Sequence, residues 1–97
     1  MSNLEERITQ RRGIETRAYP QGALLVDMAT GRCYRLNRVG AEIWALLQWP
    51  MELTALCAAV AKKYERSAAN LESDVRQLVA LLVKEKLVEG SAVRGPP

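Results

Sequence analysis

The segment from Leu24 to Leu47 constrains the fold more than any other part of the chain. It begins with a short apolar run, passes through a turn that contains Asp and Gly, and returns as a run with alternating apolar and polar residues. We expect two antiparallel strands here, because Asp27 can hydrogen-bond its own backbone and Gly31 can adopt the positive φ of a short hairpin. Asn37 then stands where a helix N-cap belongs. The segment predicts a hairpin that leads directly into an amphipathic helix.

The residues before this segment extend the predicted sheet. Ile14 to Tyr19 alternate in the manner of a strand, and Pro20 with Gly22 supplies a turn into the next strand. The sequence therefore predicts a three-stranded antiparallel sheet. Few apolar residues occur in residues 1–13, so we expect a flexible N-terminal arm there, and we expect residues 90–97 to form a flexible tail.

Three helices are predicted to follow the sheet. The first begins at Arg38 and ends near Gln48, because Pro50 disfavours helical geometry in the residue before it. We expect Pro50 to lie in the first turn of the second helix, which ends near Tyr64. We expect Asn70 to cap the third helix. The apolar spacing of that third helix predicts a buried stripe of Leu71, Val75, Leu78 and Leu82.

This order of elements predicts the fold class. Three strands followed by three helices indicate an α+β domain, with the helices packed on one face of a small sheet in a winged-helix-like arrangement. We expect one folded domain over residues 14–89.

Composition argues against several functional classes. The chain has no histidine, and its two cysteines, Cys33 and Cys57, lie far apart. A histidine-dependent triad and zinc-finger spacing are therefore absent from the sequence, and we predict neither a metal site nor a cofactor. We interpret both cysteines as reduced and structural. We predict that the protein is not an enzyme.

The sequence also bears on location and on the kind of partner. No apolar run approaches the roughly 20 residues of a membrane helix, and the N-terminus lacks the apolar core of a secretory signal. We predict a cytoplasmic protein without a membrane partner. The net charge of +3 is mild, and it is compatible with an acidic partner.

A longer pattern carries a family resemblance. It reads Asp27-x-x-Thr30-Gly31-x-x-Tyr34-x-Leu36-Asn37-x-x-Gly40-Ala41-x-Ile43-Trp44-x-Leu46-Leu47, with Asp74-Val75 and a leucine-rich continuation downstream. The pattern resembles the PqqD-like family, whose members are also called RiPP recognition elements and bind leader peptides of ribosomally made, modified peptides. The resemblance extends over residues 14–89. One departure is Lys86, since the family commonly has a glycine near the end of the third helix.

The resemblance implies a non-enzymatic adaptor that binds a leader peptide by β-strand addition. The leader would add antiparallel to the edge of the third strand, in the groove between that strand and the third helix. The free-standing form implies a leader peptidase as partner in a lasso-peptide pathway, or a radical enzyme if the chain is a PqqD-type chaperone for quinone cofactor synthesis. The implied peptide-binding residues are Arg32, Cys33, Tyr34, Arg35, Leu36, Asp74, Val75, Leu78, Leu81 and Leu82.

Several of these residues have a second interpretation. The arginines Arg32, Arg35 and Arg38 could form a basic rim for acidic leader side chains, or could protect an edge strand from aggregation. Tyr34 and Leu36 could contact the leader, although their spacing favours the core, as does that of Val75, Leu78 and Leu82. An acid near a helix N-terminus, such as Asp74, also interacts favourably with the helix dipole.

Two other interpretations concern the whole molecule. A winged-helix DNA-binding protein would share the predicted fold, but the third helix opens with Glu72 and Asp74 rather than with residues that read base edges. We therefore predict no nucleic-acid partner. We expect a monomer, in which the exposed strand edge could also pair with another copy of the chain.

Overall fold

The computed structural model describes residues 7–64 and 68–91. The elements, in chain order, are β1 (Arg7–Gln10), β2 (Ile14–Tyr19), β3 (Gly22–Asp27), β4 (Cys33–Asn37), α1 (Arg38–Leu46), β5 (Met51–Glu52), α2 (Leu53–Tyr64), α3 (Ala68–Lys84) and β6 (Val88–Ser91). The described residues form two three-stranded sheets, with strand orders β2-β3-β4 and β5-β1-β6. The α+β class, the predicted sheet and the three helices are confirmed, while the winged-helix-like arrangement stays a prediction.

The predicted hairpin and its exit into α1 have the expected local chemistry. The N–H of Ala29 donates to Asp27 Oδ1 at 2.9 Å, and the N–H of Gly31 donates to the Asp27 carbonyl at 2.7 Å. Gly31 has a φ of +80°, a backbone angle that residues with a Cβ rarely adopt. Asn37 caps α1, since its Oδ1 accepts from the N–H of Gly40 at 2.7 Å. The turn and the cap are both confirmed.

The second sheet corrects the predicted flexible ends. Arg7–Gln10 forms β1, which pairs antiparallel with β5 and with β6. Residues 90–91 belong to β6 rather than to a flexible tail. Residues 1–6 and 92–97 lie outside the described residues. The sequence pattern missed this sheet, because β1 and β6 come from opposite ends of the chain.

β1 is held in place by the C-terminal end of α1. The N–H of Gln10 donates to the carbonyl of Leu47 at 2.8 Å, and Thr9 Oγ1 donates to the same oxygen at 2.9 Å. Gln10 Nε2 also donates to the carbonyl of Trp44 at 2.7 Å. The last carbonyls of a helix have no partner inside the helix. A polar strand therefore orders here by satisfying them, although it contributes little apolar area.

Two predicted helix starts are wrong by a few residues. Pro50 does not lie in α2, because Met51–Glu52 pairs with β1 as a short strand and α2 begins only at Leu53. Helix α3 begins at Ala68, so Asn70 lies inside the helix rather than at its cap.

One apolar core joins the sheets and the helices. Its largest buried side chain is Trp44, which is 1% exposed and donates from Nε1 to Thr16 Oγ1 at 2.8 Å. The indole N–H thus has a partner, as a buried polar group requires. The predicted stripe of α3 is mostly confirmed as core, with Leu71, Val75 and Leu82 buried and Leu78 partly buried.

Candidate peptide-binding groove

β4 is an edge strand whose hydrogen-bonding pattern can be read from its register. In the part of the chain that the structure describes, β4 pairs only with β3. The N–H of Asp27 donates to the carbonyl of Arg32 at 2.8 Å, and these residues continue the β3–β4 register. Directly opposed residues in antiparallel strands alternate between hydrogen-bonded and non-hydrogen-bonded pairs. Every second residue from Arg32 therefore directs its backbone groups toward β3.

The residues between these, Cys33 and Arg35, direct their N–H and C=O groups away from β3. Each supplies one donor and one acceptor, so these two residues offer two N–H and two C=O groups on the outer side of β4. Such a row is a template for a further strand. We call this side of the strand the β4 edge.

A groove of about 610 Å³ lies between the β4 edge and α3. Its apolar lining consists of Leu36, Val39, Gly40, Ile43, Leu71, Leu78 and Leu81. Its polar lining consists of Arg35, Asn37, Asp74 and Gln77. The volume falls within the range of about 300–1,000 Å³ that is common for ligand pockets. The groove can receive apolar side chains of an extended peptide while the peptide backbone pairs with β4.

The structure brings half of the ten predicted site residues into the groove lining. These are Arg35, Leu36, Asp74, Leu78 and Leu81. Leu81 is 46% exposed, which is high for an aliphatic side chain, and the groove accounts for its exposure. Asp74 lies well inside α3 rather than in its first turn, so a helix-dipole role does not explain its position.

Three other predicted residues lie toward the N-terminal end of β4. Cys33 is exposed and lines neither the groove nor the neighbouring cavity. Tyr34 is half-buried, and its hydroxyl donates to Glu85 Oε1 at 3.1 Å. The same oxygen lies 3.5 Å from Arg32 Nη1, so both side chains converge on one carboxylate.

The last two predicted residues are buried. Val75 and Leu82 are each 0% exposed and pack in the core. They lie on the inner side of α3, whose 3.6-residue period places Leu78 and Leu81 nearer the groove. Neither residue lines the groove. Their contribution to the site is to hold α3 against the sheet.

Sequence reasoning missed the wall that α1 contributes. Val39, Gly40 and Ile43 line the groove, as do Leu71 and Gln77 of α3 and the capping Asn37. At Gly40 a Cβ atom would lie only 3.3 Å from the Cβ of Leu36, so glycine permits the close approach of α1 to β4. The sequence did contain a signal for this wall. The predicted helix follows the hairpin directly, which places the first turn of α1 beside the end of β4.

Among the described residues, one cysteine has a shifted pKa. Burial raises the pKa of the Cys57 thiol, and the nearby Glu72 raises it further, while Arg76 lowers it. Cys57 is therefore a buried, protonated thiol rather than a nucleophile. No described group of three or more His, Cys, Asp or Glu side chains has an arrangement that could hold a metal ion. Across residues 7–64 and 68–91, every helix is too short or too polar to cross a bilayer.

Three solved structures resemble this fold. TbiB1 in complex with the TbiA(beta) leader peptide has a TM-score of 0.74 and 22% identity, and the match covers 84% of this chain and 94% of that chain. Lasso peptide synthetase B1 complexed with the leader peptide has a TM-score of 0.71 and 22% identity, over 84% of this chain and 96% of that one. The PqqD truncation of Methylobacterium extorquens PqqCD, a stand-alone RiPP recognition element, has a TM-score of 0.69 and 18% identity, over 86% and 88% of the two chains.

Sequence comparison identifies the family. No curated protein sequence matched the chain. The family model for Coenzyme PQQ synthesis protein D (PqqD) matches residues 22–88, which run from the start of β3 into β6 and make up more than half of the chain. The matched region contains the β4 edge and every residue that lines the groove. The chain belongs to the PqqD family.

Proposed function

We propose that this protein is a non-enzymatic adaptor that binds the leader segment of a ribosomally made precursor peptide by β-strand addition at the β4 edge. The observation that carries the proposal is that two outward N–H groups, at Cys33 and Arg35, lie directly beside a partly apolar groove. Two of the similar structures are complexes with leader peptides, which supports the same kind of ligand here.

The energetics of strand addition explain why both features are needed. Four main-chain hydrogen bonds contribute about 0.5–1.5 kcal/mol each. Ordering each residue of a disordered peptide costs about 1–2 kcal/mol, so the hydrogen bonds alone do not offset the ordering of a five-residue strand. Burying one large apolar side chain in the groove adds about 1.5–3 kcal/mol. The β4 edge would set the register and supply much of the affinity, and the groove would add further affinity and supply the sequence preference.

The biological role would be presentation of the precursor to a maturation enzyme. Binding of the leader raises the effective concentration of the attached precursor near any enzyme that the adaptor also contacts. We propose a leader peptidase of a lasso-peptide pathway as that enzyme. The adaptor would act in the cytoplasm as a monomer, with the winged-helix-like arrangement that the element order predicts.

The PqqD family match favours a second candidate partner. A PqqD-type chaperone would present its peptide to a radical enzyme in quinone cofactor synthesis. The two candidates use the same groove and differ in the peptide bound and the enzyme served. The precursor that binds would therefore distinguish them.

A fluorescence anisotropy titration tests the proposal. The ligand is the labelled leader segment of the precursor encoded beside this gene, with a scrambled leader and a random DNA duplex as controls. We expect saturable binding of the intact leader only. Binding of the duplex that weakens steeply with salt would instead indicate a DNA-binding protein. Failure of every leader tested to bind would contradict the adaptor function.

A further inference from the structure

A second cavity lies beyond the N-terminal end of β4. Its volume is about 650 Å³, and six of its lining residues are charged side chains from three separate parts of the chain. These are Arg11, Asp27, Arg32, Lys84, Glu85 and Lys86. We call this cavity the cationic basin.

The arginines of the basin are already paired with carboxylates. Arg11 Nη2 lies 2.7 Å from Oδ2 of Asp27, which is 4% exposed. Arg32 Nη1 lies 3.5 Å from Glu85 Oε1. These two pairs cancel in charge, and the nearly buried Asp27 carboxylate requires its partner for stability. The arginines therefore hold the walls of the basin together.

The lysines of the basin are different. Lys84 and Lys86 are both exposed, and neither lies within 4.0 Å of a carboxylate among the described side chains. The basin consequently has two positive charges without a partner. A lysine in the last turn of a helix interacts favourably with the helix dipole, which accounts for a lysine at position 84. Lys86 lies beyond the end of α3, so the dipole does not account for a lysine there.

Lys86 occupies a backbone conformation that favours glycine. Its φ is +60°, and it ends α3 in a Schellman motif, with the N–H of Lys86 donating to Val83 and the N–H of Leu87 donating to Leu82. A residue with a Cβ is strained in this left-handed conformation, relative to the right-handed helical one. A strained lysine in a cavity indicates that the side chain contributes something other than stability.

Chain direction connects the basin to the groove. β4 runs from Cys33 to Asn37, with the basin beside its start and the groove beside its end. A peptide that adds antiparallel to β4 would enter at Asn37 and leave past Cys33 toward Lys84 and Lys86. A strand advances about 3.4 Å per residue, so the residues that directly follow the strand-adding segment would pass over the basin.

We propose that the cationic basin binds acidic side chains in the part of the precursor that directly follows the strand-adding segment. Lys84 and Lys86 would supply the positive charge. The proposal rests on the proposed function, since it takes the position and direction of the peptide from strand addition at β4. It adds a second contact that favours precursors with Asp or Glu just downstream of that segment.

A peptide extension experiment tests the basin separately from the groove. The probe is the labelled leader segment that ends at its strand-adding residues, extended at its C-terminus by Gly-Asp-Asp, Gly-Asn-Asn or Gly-Lys-Lys. We expect the Asp extension to bind the wild-type protein about fivefold more tightly than the Asn extension, with the difference reduced by salt. In the double variant Lys84→Glu and Lys86→Glu, we expect the Lys extension to bind most tightly.

The outcomes separate the two proposals. Equal affinities of the three extensions for the wild-type protein would overturn the basin proposal and leave leader binding intact. Binding of none of the three would contradict the adaptor function and the basin with it. An unchanged order of affinities in the folded double variant would also overturn the basin proposal, because the lysines would then not be the source of the preference.

Lys86→Gly gives an independent test. Glycine relieves the positive φ, so we expect the melting temperature to rise by about 4 °C. We also expect the preference for the Asp extension over the Asn extension to fall to about half. A higher melting temperature with an undiminished preference would show that Lys86 has no part in binding acidic residues, and would overturn its role in the basin.

Discussion

β2 and β4 are the two edge strands of one antiparallel sheet, and both direct alternate N–H groups away from β3. On β2 these groups belong to Ile14, Thr16 and Ala18. This follows from the hydrogen bond of the Met28 N–H to the Gly13 carbonyl, at 2.9 Å, which continues the β2–β3 register. The two edges therefore offer the same backbone chemistry to a further strand.

The surroundings of the two edges differ. β4 lies beside α3 and α1, which form the walls of the groove, whereas no β2 residue lines the groove or the cationic basin. The side chain of Thr16 on β2 is used internally, as the acceptor for the Trp44 indole. An exposed row of N–H groups is therefore insufficient to predict a binding edge. The adjacent groove is what distinguishes β4.

Proline substitutions at matched positions on the two edge strands should give the largest difference in leader affinity. Cys33→Pro removes an outward N–H of β4 and adds a ring in the path of the incoming strand, so we expect about a 100-fold loss of leader affinity, or about 2.7 kcal/mol. Ala18→Pro makes the same change on β2, and its affinity should stay within twofold of wild type. Titration of the leader with both folded variants is the measurement. Equal affinities would contradict a binding role for the β4 edge.

The groove wall should contribute the next largest effect. Leu81 is 46% exposed and lines the groove, whereas Val83 is 53% exposed on the same helix and does not line it. Leu81→Ala should weaken leader binding about tenfold, because it removes apolar area from the groove. Val83→Ala is the matched control and should leave the affinity unchanged. Similar losses in the two variants would place the peptide elsewhere on α3.

The β2 edge should respond in stability rather than in binding. Thr16→Val keeps the shape of the side chain but removes the acceptor for the buried Trp44 N–H. We expect the free energy of unfolding to fall by about 1 kcal/mol, measured by urea denaturation. Leader affinity of the folded variant should be unchanged. A large loss of affinity would mean that β2 also takes part in binding.

The smallest expected effect is on the labelling rate of a cysteine, which requires no substitution. Cys33 is exposed on β4, whereas Cys57 is buried and its pKa is raised by that burial. N-ethylmaleimide should therefore label Cys33 at neutral pH and leave Cys57 unmodified in the folded protein. Saturating leader should slow the labelling of Cys33 by about threefold, by limiting access to the thiol. An unchanged rate would argue against a strand lying along β4.

The sheet that contains both edges could be predicted because its signals are local. Turns such as Asp27 to Gly31 and the N-cap Asn37 act within a few residues of where they occur. The β5-β1-β6 sheet has no such signal. Its central strand, Arg7–Gln10, is largely polar and orders through hydrogen bonds to α1 and β6, which are distant in sequence.

The sequence predicted the parts of the candidate site that lie on β4 and α3, but not the part on α1. Period-2 alternation placed Leu36 on the core side of β4, and helical spacing placed Leu78 near the groove. Val39 and Ile43 were missed, because their place in the groove depends on how closely α1 approaches β4 at Gly40. Val75 and Leu82 were included because the apolar stripe of α3 does not itself distinguish side chains in the groove from those in the core.

Residue-resolved amide hydrogen exchange, with and without the leader peptide, tests the central claim most directly. Strand addition at the β4 edge predicts that the amides of Cys33 and Arg35 become protected when the leader binds. The outward amides of Thr16 and Ala18 should exchange at unchanged rates. Protection of the β2 amides, or leader binding that leaves Cys33 and Arg35 unprotected, would contradict the account.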